Sequence, residues 1–199
     1  MNEGKDVVLV RHGETEWSRE RRHTGRTDVP LTDAGRRQAD ALASMLTGFV
    51  FARVLCSPLQ RAVETCERAG LAGRAEICDD AIEWDYGVYE GRRTSEIRDE
   101  IPGWTVWTNE IIGGESVIDV GARADRVITA ALAVDGDVAI FAHAHFLRIL
   151  AARWLVLDAV RGSNLVLDTA SLSILSFERE QRVISRWNEP CPLRETDAV

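Results

Sequence analysis

An arginine, a histidine and a glycine follow a short apolar run near the start of the chain. Arg11, His12 and Gly13 come directly after Val7 to Val10, whose continuous apolar character predicts a buried strand. Open α/β sheets gather ligand chemistry at the carboxyl ends of such strands. A guanidinium and an imidazole delivered there could bind and attack an anion. His12 is therefore a candidate nucleophile and Arg11 a candidate anion ligand.

Two further groups of the same kind occur far along the chain. Arg61 falls in the first turn of a helix that Ser57-Pro58 is expected to open, and helix N-termini favour anions. The apolar stripe of this helix lies on its other side, so Arg61 is expected to face away from the core. His143 follows a second predicted buried strand over residues 137–142. Both residues could join Arg11 and His12 around one anion.

A carboxyl group with an apolar neighbourhood lies between these elements. Glu83 follows Ala81-Ile82 and precedes Trp84. A carboxyl beside tryptophan is expected to be partly desolvated, which suits a proton donor near neutral pH. Asp85 is the competing carboxylate. Each of these residues alone is more often structural, so the functional reading depends on their combination.

The segments that carry these residues resemble the histidine phosphatase superfamily, the phosphoglycerate-mutase-like proteins. The stretch from Arg11 to Trp17 is similar to the first family signature, and the stretch from Cys56 to Ala62 is similar to the second. The late histidine and the glutamate follow in the family's order. The resemblance covers about residues 5 to 188.

The resemblance implies a role for each of the five groups. His12 would become covalently phosphorylated, and Arg11, Arg61 and His143 would surround the phosphoryl oxygens. His143 is expected to be a cation in this arrangement. Glu83 would protonate the leaving oxygen and then activate the water that hydrolyses the phosphoenzyme. The arginine cluster would replace the metal ion used by other phosphotransfer enzymes, so we expect neither a metal nor a cofactor.

Lesser substrate contacts also follow from the resemblance. Ser18 occupies a position where relatives often have asparagine beside the phosphate, and Thr24 and Gly25 match a loop that touches substrate. Ala144 replaces a glycine of the family pattern, and its backbone N–H could still contact an anion. Tyr86 could meet the end of the substrate that does not react.

Other residues of these segments have roles that the sequence leaves open. Arg92 or Arg93 could join Tyr86 at the non-reacting end of the substrate. His145 is expected to support the site from outside the first layer of contacts. The His143-Ala144-His145 pattern also invites a metal site, but no acidic residue has matching spacing.

The resemblance favours a phosphatase over a mutase. Where mutases read Glu-Arg-x-Tyr, this chain reads Glu83-Trp84-Asp85-Tyr86, so the substrate-binding arginine of the mutases is replaced. The same segment resembles sugar bisphosphatases and broad-specificity acid phosphatases. We expect a metal-independent phosphatase of small phosphate monoesters, such as sugar phosphates, that acts through a phosphohistidine. The alternatives are a phosphotransferase of the mutase type and a non-catalytic protein that binds phosphorylated ligands.

Composition limits the other function classes. The chain has 199 residues, 45% hydrophobic and 28% charged, and a net charge of −8. We expect one domain over residues 1–199, with an ordered core at about 5–188. The charge argues against nucleic acid as a partner, and no apolar stretch is long enough to span a membrane. The four cysteines lack metal-ligand or disulfide spacing. A small phosphorylated substrate and a cytoplasmic location are expected, and a homodimer is left open.

Alternating strand and helix patterns predict a three-layer α/β/α sandwich with a mostly parallel central sheet. Residues 18–31 and 84–114 read as loops, the second with one or two short helices, and the tail from Glu189 reads as poorly ordered. Three predicted helices begin at the capping residues Thr32, Ser57 and Ser116, and a fourth begins at about His145. The predicted strands are residues 7–10, 51–56, 76–78, 137–142, 172–177 and 182–187.

Overall fold

The computed structural model describes residues 5–192 and shows one six-stranded sheet between two layers of helices. The first four strands in the sequence are mutually parallel where they pair, and the last two are antiparallel. The strand order is β3-β2-β4-β1-β5-β6. The strands are β1 Val7–Arg11, β2 Phe51–Cys56, β3 Ala75–Ile77, β4 Asp137–Ala142, β5 Ser171–Glu178 and β6 Gln181–Pro190.

Within residues 5–192, six α-helices connect and cover the strands. They are α1 Glu16–Arg19, α2 Asp33–Leu46, α3 Gln60–Cys66, α4 Thr94–Glu100, α5 Val117–Leu132 and α6 Ala144–Trp154. Short 3-10 turns occupy Asp79–Ala81, Gly87–Tyr89 and Ala159–Asn164. None of the helices in this described part combines the length and apolar character that crossing a bilayer requires.

Successive side chains of β1 point to opposite faces of the sheet, and helices cover both faces. Val8 and Val10 pack with residues of α2 and α3 on one face of the sheet, whereas Val7 and Leu9 pack with residues of α5 and α6 on the other. All four side chains are buried. A strand covered on both faces reads as a continuous apolar run, which confirms the predicted three-layer architecture.

Side-chain caps start two of the helices where the sequence predicts them. Thr32 Oγ1 accepts a hydrogen bond of 3.0 Å from Gly35 N at the start of α2. Ser116 and Asp119 form a reciprocal capping box at the start of α5. These caps orient the helices that flank the sheet.

Several predicted boundaries are wrong. Ser18 and Arg19, expected to belong to a loop, lie in α1, whose capping box is formed by Thr15 and Ser18. Helix α3 begins at Gln60 rather than at the Ser-Pro pair, because Leu59 has extended backbone angles and is the N-cap. The tail predicted from Glu189 is in part a strand, since β6 extends to Pro190 by pairing with β5. The remainder of that prediction, from residue 193, lies outside the described residues.

The sheet brings two strand ends together. Strands β1 and β4 are parallel neighbours, and Arg11 pairs in register with Ala142. The next residue of each strand is a histidine, so His12 and His143 leave the same edge of the sheet side by side. The backbone N–H of His12 donates to Ala142 O at 3.1 Å, which extends the ladder by one residue.

Candidate active site

A cavity of about 500 Å³ opens at this edge of the sheet. Of the ten residues that the sequence singles out for catalysis or binding, eight line it. His143 and Gly25 lie behind its wall and contact lining residues instead. The eight are Arg11, His12, Ser18, Thr24, Arg61, Glu83, Tyr86 and Ala144.

His12 is held as a neutral imidazole with one nitrogen directed away from the backbone. Its Nδ1 lies 2.7 Å from Gly13 O, and since a carbonyl only accepts, Nδ1 carries the proton. The other nitrogen, Nε2, therefore keeps its lone pair. Burial, followed by the positive charges of Arg61 and Arg11, lowers the pKa of His12 well below its usual range. A neutral imidazole beside two guanidinium groups is the form that can attack phosphorus.

Arg61 and His143 form a buried hydrogen-bonded pair. Arg61 Nε donates to His143 Nδ1 at 3.2 Å, which places the proton of His143 on Nε2. Nε2 in turn donates to Ser57 Oγ at 2.7 Å. Burial and then the charge of Arg61 lower the pKa of His143 well below its usual range. The expectation of a cationic His143 is therefore wrong, because burial beside arginines favours the neutral ring.

Arg61 faces away from the apolar core as predicted, but it is fully buried. Its terminal nitrogens donate to Gly25 O at 2.8 Å and to Thr27 O at 3.0 Å. These two carbonyls and His143 hold the guanidinium plane, and Arg61 still lines the cavity. The fixed fork suits bidentate contact with a phosphoryl group.

Arg11 also lines the cavity and precedes His12 at the end of β1. Its Nη1 donates to Leu167 O at 2.5 Å, and its buried Nε has no partner in residues 5–192. Burial lowers the pKa of Arg11 to about 10, so the guanidinium stays charged near neutral pH. A buried donor without a partner carries a free-energy cost, and an anion in the cavity would remove it.

Glu83 is buried, as the sequence predicts, but its surroundings differ from those expected. Its Oε1 accepts from the backbone N–H groups of Trp84 and Phe146, each at 2.9 Å, and its Oε2 accepts from His145 N at 3.2 Å. Two of these donors belong to the first turn of α6, so Glu83 caps this helix. Both carboxylate oxygens therefore accept backbone hydrogen bonds, in addition to having the tryptophan neighbour that the sequence indicates.

Aromatic and imidazole rings form another wall. Tyr86 Oη lies 2.5 Å from His145 Nδ1, and the ring of His23 lies 4.9 Å from that of Tyr86. Burial lowers the pKa of His23 to about 4 and that of His145 well below its usual range. Burial also raises the pKa of Tyr86 well above its usual value. This wall is therefore uncharged, and His145 lines the cavity directly rather than supporting it from outside.

Some of the lesser predicted substrate contacts face the cavity, whereas others have polar groups that are already hydrogen-bonded within the protein. Ser18 lines the cavity, but its hydroxyl donates to Thr15 O and accepts from Thr15 N in the cap of α1. Thr24 lines the cavity with a half-buried side chain. Ala144 opens α6 without a positive φ, so alanine fits where the family has glycine. Gly25, in contrast, presents its carbonyl to Arg61 rather than to the cavity.

Three alternatives lie away from the cavity lining. Asp85 pairs with Arg26 at 3.2 Å and accepts from Gly87 N. Arg92 pairs with Glu100, and Arg93 contacts the loop at Glu20. Neither Arg92 nor Arg93 lines the cavity with Tyr86, and both are paired with carboxylates elsewhere.

The cavity contains arginines that the sequence did not single out. Arg21, Arg98 and Arg148 line it, together with Trp107. One signal was available, because Arg148 follows His145 by three residues on α6 and therefore lies on the same helix face. Arg21 and Arg98 come from the end of α1 and from α4, and no sequence spacing links them to the other site residues. In residues 5–192, no three or more His, Cys, Asp or Glu side chains are grouped as metal ligands.

Comparison with known proteins identifies the family. A model of the histidine phosphatase superfamily (branch 1) matches residues 7–190. An acid phosphatase of Mycobacterium tuberculosis is 42% identical over 94% of this chain and 95% of its own length. A sedoheptulose 1,7-bisphosphatase of Saccharomyces cerevisiae is 32% identical over 74% of this chain and 66% of its own length.

Solved structures agree with the sequence matches. A protein from an open reading frame of Mycobacterium tuberculosis superimposes with a TM-score of 0.90 and 39% identity, covering 94% of this chain and 98% of that one. A mycobacterial glucosyl-3-phosphoglycerate phosphatase in complex with VO3 gives a TM-score of 0.84 at 27% identity, covering 92% and 98%. The predicted family and enzyme class are thereby confirmed, and the chain belongs to the histidine phosphatase superfamily, branch 1.

Proposed function

We propose that this chain is a metal-independent phosphatase that hydrolyses small phosphate monoesters through a phosphohistidine at His12. The observation that carries the proposal is the contact of His12 Nδ1 with Gly13 O, which leaves the lone pair on Nε2 of a ring that is subject to the charges of Arg61 and Arg11. Covalent catalysis at this nitrogen divides one difficult displacement into two easier ones.

In the first step, His12 Nε2 attacks phosphorus, and the bond from phosphorus to the ester oxygen breaks. Arg11 and Arg61 neutralise the equatorial oxygens, which is the role that metal ions serve in other phosphotransfer enzymes. The leaving oxygen takes a proton from Glu83. This proton enters with the monoanion of the substrate phosphate, whose second pKa is about 6, and it reaches the leaving oxygen through Glu83.

In the second step, a water molecule attacks the phosphohistidine and the bond from Nε2 to phosphorus breaks. Glu83, now ionised, accepts the water proton, so that it acts as acid and base in turn. The proton leaves with the phosphate product as its monoanion. His12 returns to its neutral form, with Nδ1 still donating to Gly13 O.

A phosphotransferase of the mutase type is the second candidate. Some relatives are named probable phosphoglycerate mutases, at 30% identity over 91% of this chain. Trp84, which replaces the mutase arginine, is fully buried, and its Nε1 donates to Glu115 O at 2.8 Å. This side chain does not line the cavity, which supports the phosphatase. With 3-phosphoglycerate as substrate, we expect release of inorganic phosphate, and formation of 2-phosphoglycerate without phosphate release would favour the mutase.

Hydrolysis of p-nitrophenyl phosphate between about pH 5 and 8, by the wild type and by His12→Ala, tests the proposal. The aryl ester has a good leaving group and probes the nucleophile without the native substrate. We expect activity that the substitution abolishes. Equal activity of both proteins, or a wild type that hydrolyses no phosphate ester, would contradict the proposal. A cytoplasmic location, a single domain over residues 1–199 and a homodimer remain predictions from the sequence.

A further inference from the structure

The cavity has a charge opposite to that of the whole chain. Six arginines line it, together with one carboxylate, Glu83, although the chain carries a net charge of −8. Two arginines suffice to bind the phosphoryl group at His12. The excess of cations indicates that the bound molecule has more than one anionic group. The six are Arg11, Arg21, Arg22, Arg61, Arg98 and Arg148.

The arginines that line the cavity are paired with carboxylates less often than the other arginines. Most arginines outside the cavity form an ion pair with a carboxylate, as Arg153 does with Asp125 at 2.9 Å. Among the six that line it, only Arg22 does so in residues 5–192, through Glu20. The chain has 32 acidic residues available. Five cationic side chains that converge without a carboxylate partner retain their capacity for an anionic ligand.

Two of the five come from elements that carry no reaction-centre residue, since Arg21 follows α1 and Arg98 belongs to α4. Arg11 and Arg61 act electrostatically on His12, and Arg148 of α6 is close enough to Arg11 for its charge to contribute to the lowered pKa of Arg11. Arg21 and Arg98 are exposed, so they form the rim of the cavity. Their guanidinium groups therefore meet the part of a substrate that points away from His12.

Local contacts hold two of these side chains without using all of their donors. Arg98 Nε donates to Trp104 O at 2.8 Å, and no partner is found for its terminal nitrogens in the described part of the chain. Arg148 Nε donates to Gly162 O at 3.0 Å, while its guanidinium lies over the ring of Trp107 at 4.7 Å from the centroid. Both side chains are thus oriented and still have N–H groups to donate.

Arg21 adds a backbone observation. Its φ is +58°, in the left-handed region that favours glycine, at the point where α1 ends. Its N–H donates to Ser18 O at 3.1 Å, which closes the helix end. Glycine would adopt this conformation without strain, whereas arginine does so at a cost in stability.

We propose that Arg21, Arg98 and Arg148 form a second anion site, which binds a carboxylate or phosphate at the far end of the substrate. The inference rests on the proposed function and specifies its substrate class, phosphate monoesters that carry a second anionic group. A cavity of about 500 Å³ has room for a molecule with the size of a sugar bisphosphate.

Matched substrates test the second site. Glycerol 3-phosphate and 3-phosphoglycerate differ by a terminal carboxylate, and fructose 6-phosphate and fructose 1,6-bisphosphate differ by a terminal phosphate. We expect the wild type to prefer the doubly anionic member of at least one pair, and the favoured pair identifies the anion. In Arg21→Gln/Arg98→Gln, kcat/KM for that member should fall about 10- to 100-fold through KM, because two charge-assisted hydrogen bonds are lost.

Two controls separate this site from the reaction centre. Activity on p-nitrophenyl phosphate, which has no second anion, should change less than about twofold in the double variant. Arg37→Gln removes an exposed arginine of α2 that lies outside the cavity and should change neither activity. Equal losses on p-nitrophenyl phosphate and on the doubly anionic ester, or a wild type without preference in both pairs, would overturn the second site.

A binding measurement keeps the two proposals distinguishable. Calorimetry with 3-phosphoglycerate and fructose 1,6-bisphosphate on His12→Ala requires no turnover. We expect affinity to fall about 10-fold or more when Arg21→Gln/Arg98→Gln is added, and to fall more steeply with salt than for the singly anionic esters. Unchanged affinity would overturn the second anion site. An inactive wild type with the expected affinities would overturn only the proposed hydrolysis.

Discussion

Arg61 Nε donates a hydrogen bond of 3.2 Å to Nδ1 of His143, and this contact decides the protonation of the site. An arginine can only donate, so His143 must accept and carries its proton on Nε2. His143 therefore acts on the phosphoryl group through Arg61, whose plane it holds, together with two carbonyl groups. The ring of His143 lies 5.1 Å from that of the proposed nucleophile, His12.

Ser57→Ala should disturb this arrangement without touching the substrate. Ser57 Oγ accepts from His143 Nε2 at 2.7 Å, and both groups are fully buried. Its loss leaves a buried donor without a partner, which should cost about 1–3 kcal/mol of unfolding free energy. Because the substitution weakens the hold on Arg61, kcat/KM for p-nitrophenyl phosphate should fall roughly 10-fold. Urea unfolding and steady-state kinetics measure the two effects.

A matched serine supplies the control for that substitution. Ser44 is exposed on α2 and bonds only to a carbonyl of its own helix. Ser44→Ala should leave both stability and activity nearly unchanged. Full activity of Ser57→Ala would contradict the idea that the serine and His143 position Arg61.

Glu83→Gln should separate the two chemical steps. Nitrophenolate leaves without protonation, so phosphorylation of His12 should proceed, whereas hydrolysis of the phosphoenzyme lacks its base. We expect a rapid burst of nitrophenol, about one per active site, followed by turnover reduced roughly 100-fold. With a sugar phosphate, whose alkoxide needs a proton, no burst is expected. Stopped-flow absorbance checks the first result, and an unchanged steady rate would remove Glu83 from the mechanism.

The histidines predict a loss of stability in acid. All four histidines, His12, His23, His143 and His145, have a pKa lowered by burial. The unfolded chain then binds protons that the folded chain does not, so unfolding free energy falls as the pH drops below about 6.5. Each histidine contributes up to about 1.4 kcal/mol per pH unit. For His23, the loss ends near a pH of about 4.

Urea unfolding of the wild type and of His23→Gln at pH 7, 6 and 5 measures this dependence. The variant should lose stability at pH 7, because His23 packs against Tyr86 and Trp104. Its dependence on pH should be shallower than that of the wild type, since one titrating group is missing. Parallel curves for the two proteins would show that His23 is not held neutral by burial.

Gly25→Ala tests the loop that supports Arg61. Gly25 has a φ of +52°, and a Cβ there would clash with the carboxylate of Glu90. Glu90 binds the backbone N–H groups of Arg26 and Thr27, so displacing it loosens the loop whose carbonyls hold Arg61. We expect stability to fall by about 1–3 kcal/mol and kcat/KM to fall at least about 10-fold.

Gly73→Ala is the matched control for this substitution. Gly73 has a φ of +74°, but no atom lies within 4 Å of its would-be Cβ. Backbone strain alone should then cost about 1 kcal/mol, with activity retained. Equal effects of the two substitutions on activity would show that the contact with Glu90 is irrelevant to the site.

Much of the sheet and of the reaction centre can be predicted from the sequence. Apolar runs followed by a histidine predict β1 and β4 and place His12 and His143 directly after these strands. Because β1 and β4 are parallel neighbours, the two histidines lie at the same edge of the sheet. Capping residues such as Thr32 predict helix starts to within one or two residues. The family resemblance then identifies the remaining residues of the reaction centre, Arg61 and Glu83. In the fold, both line the same cavity as His12.

Properties that depend on three-dimensional contacts could not be predicted in the same way. His143 is neutral because it is buried and lies beside Arg61, which is more than 80 residues away in the chain. The excess of cations depends on Arg21 and Arg98, which reach the cavity from separate elements. In a chain with this many arginines, their position at the cavity without a carboxylate partner distinguishes them, and that is visible only in the fold.

Trapping of the phosphoenzyme tests the central claim most directly. Wild type and His12→Ala are mixed with p-nitrophenyl phosphate, quenched in alkali within the first turnover, digested and examined by mass spectrometry. We predict an acid-labile phosphate on the peptide that contains His12 in the wild type, accumulating further in Glu83→Gln, and none in His12→Ala. A wild type that turns over without this phosphohistidine, or with phosphate on another residue, would contradict the account.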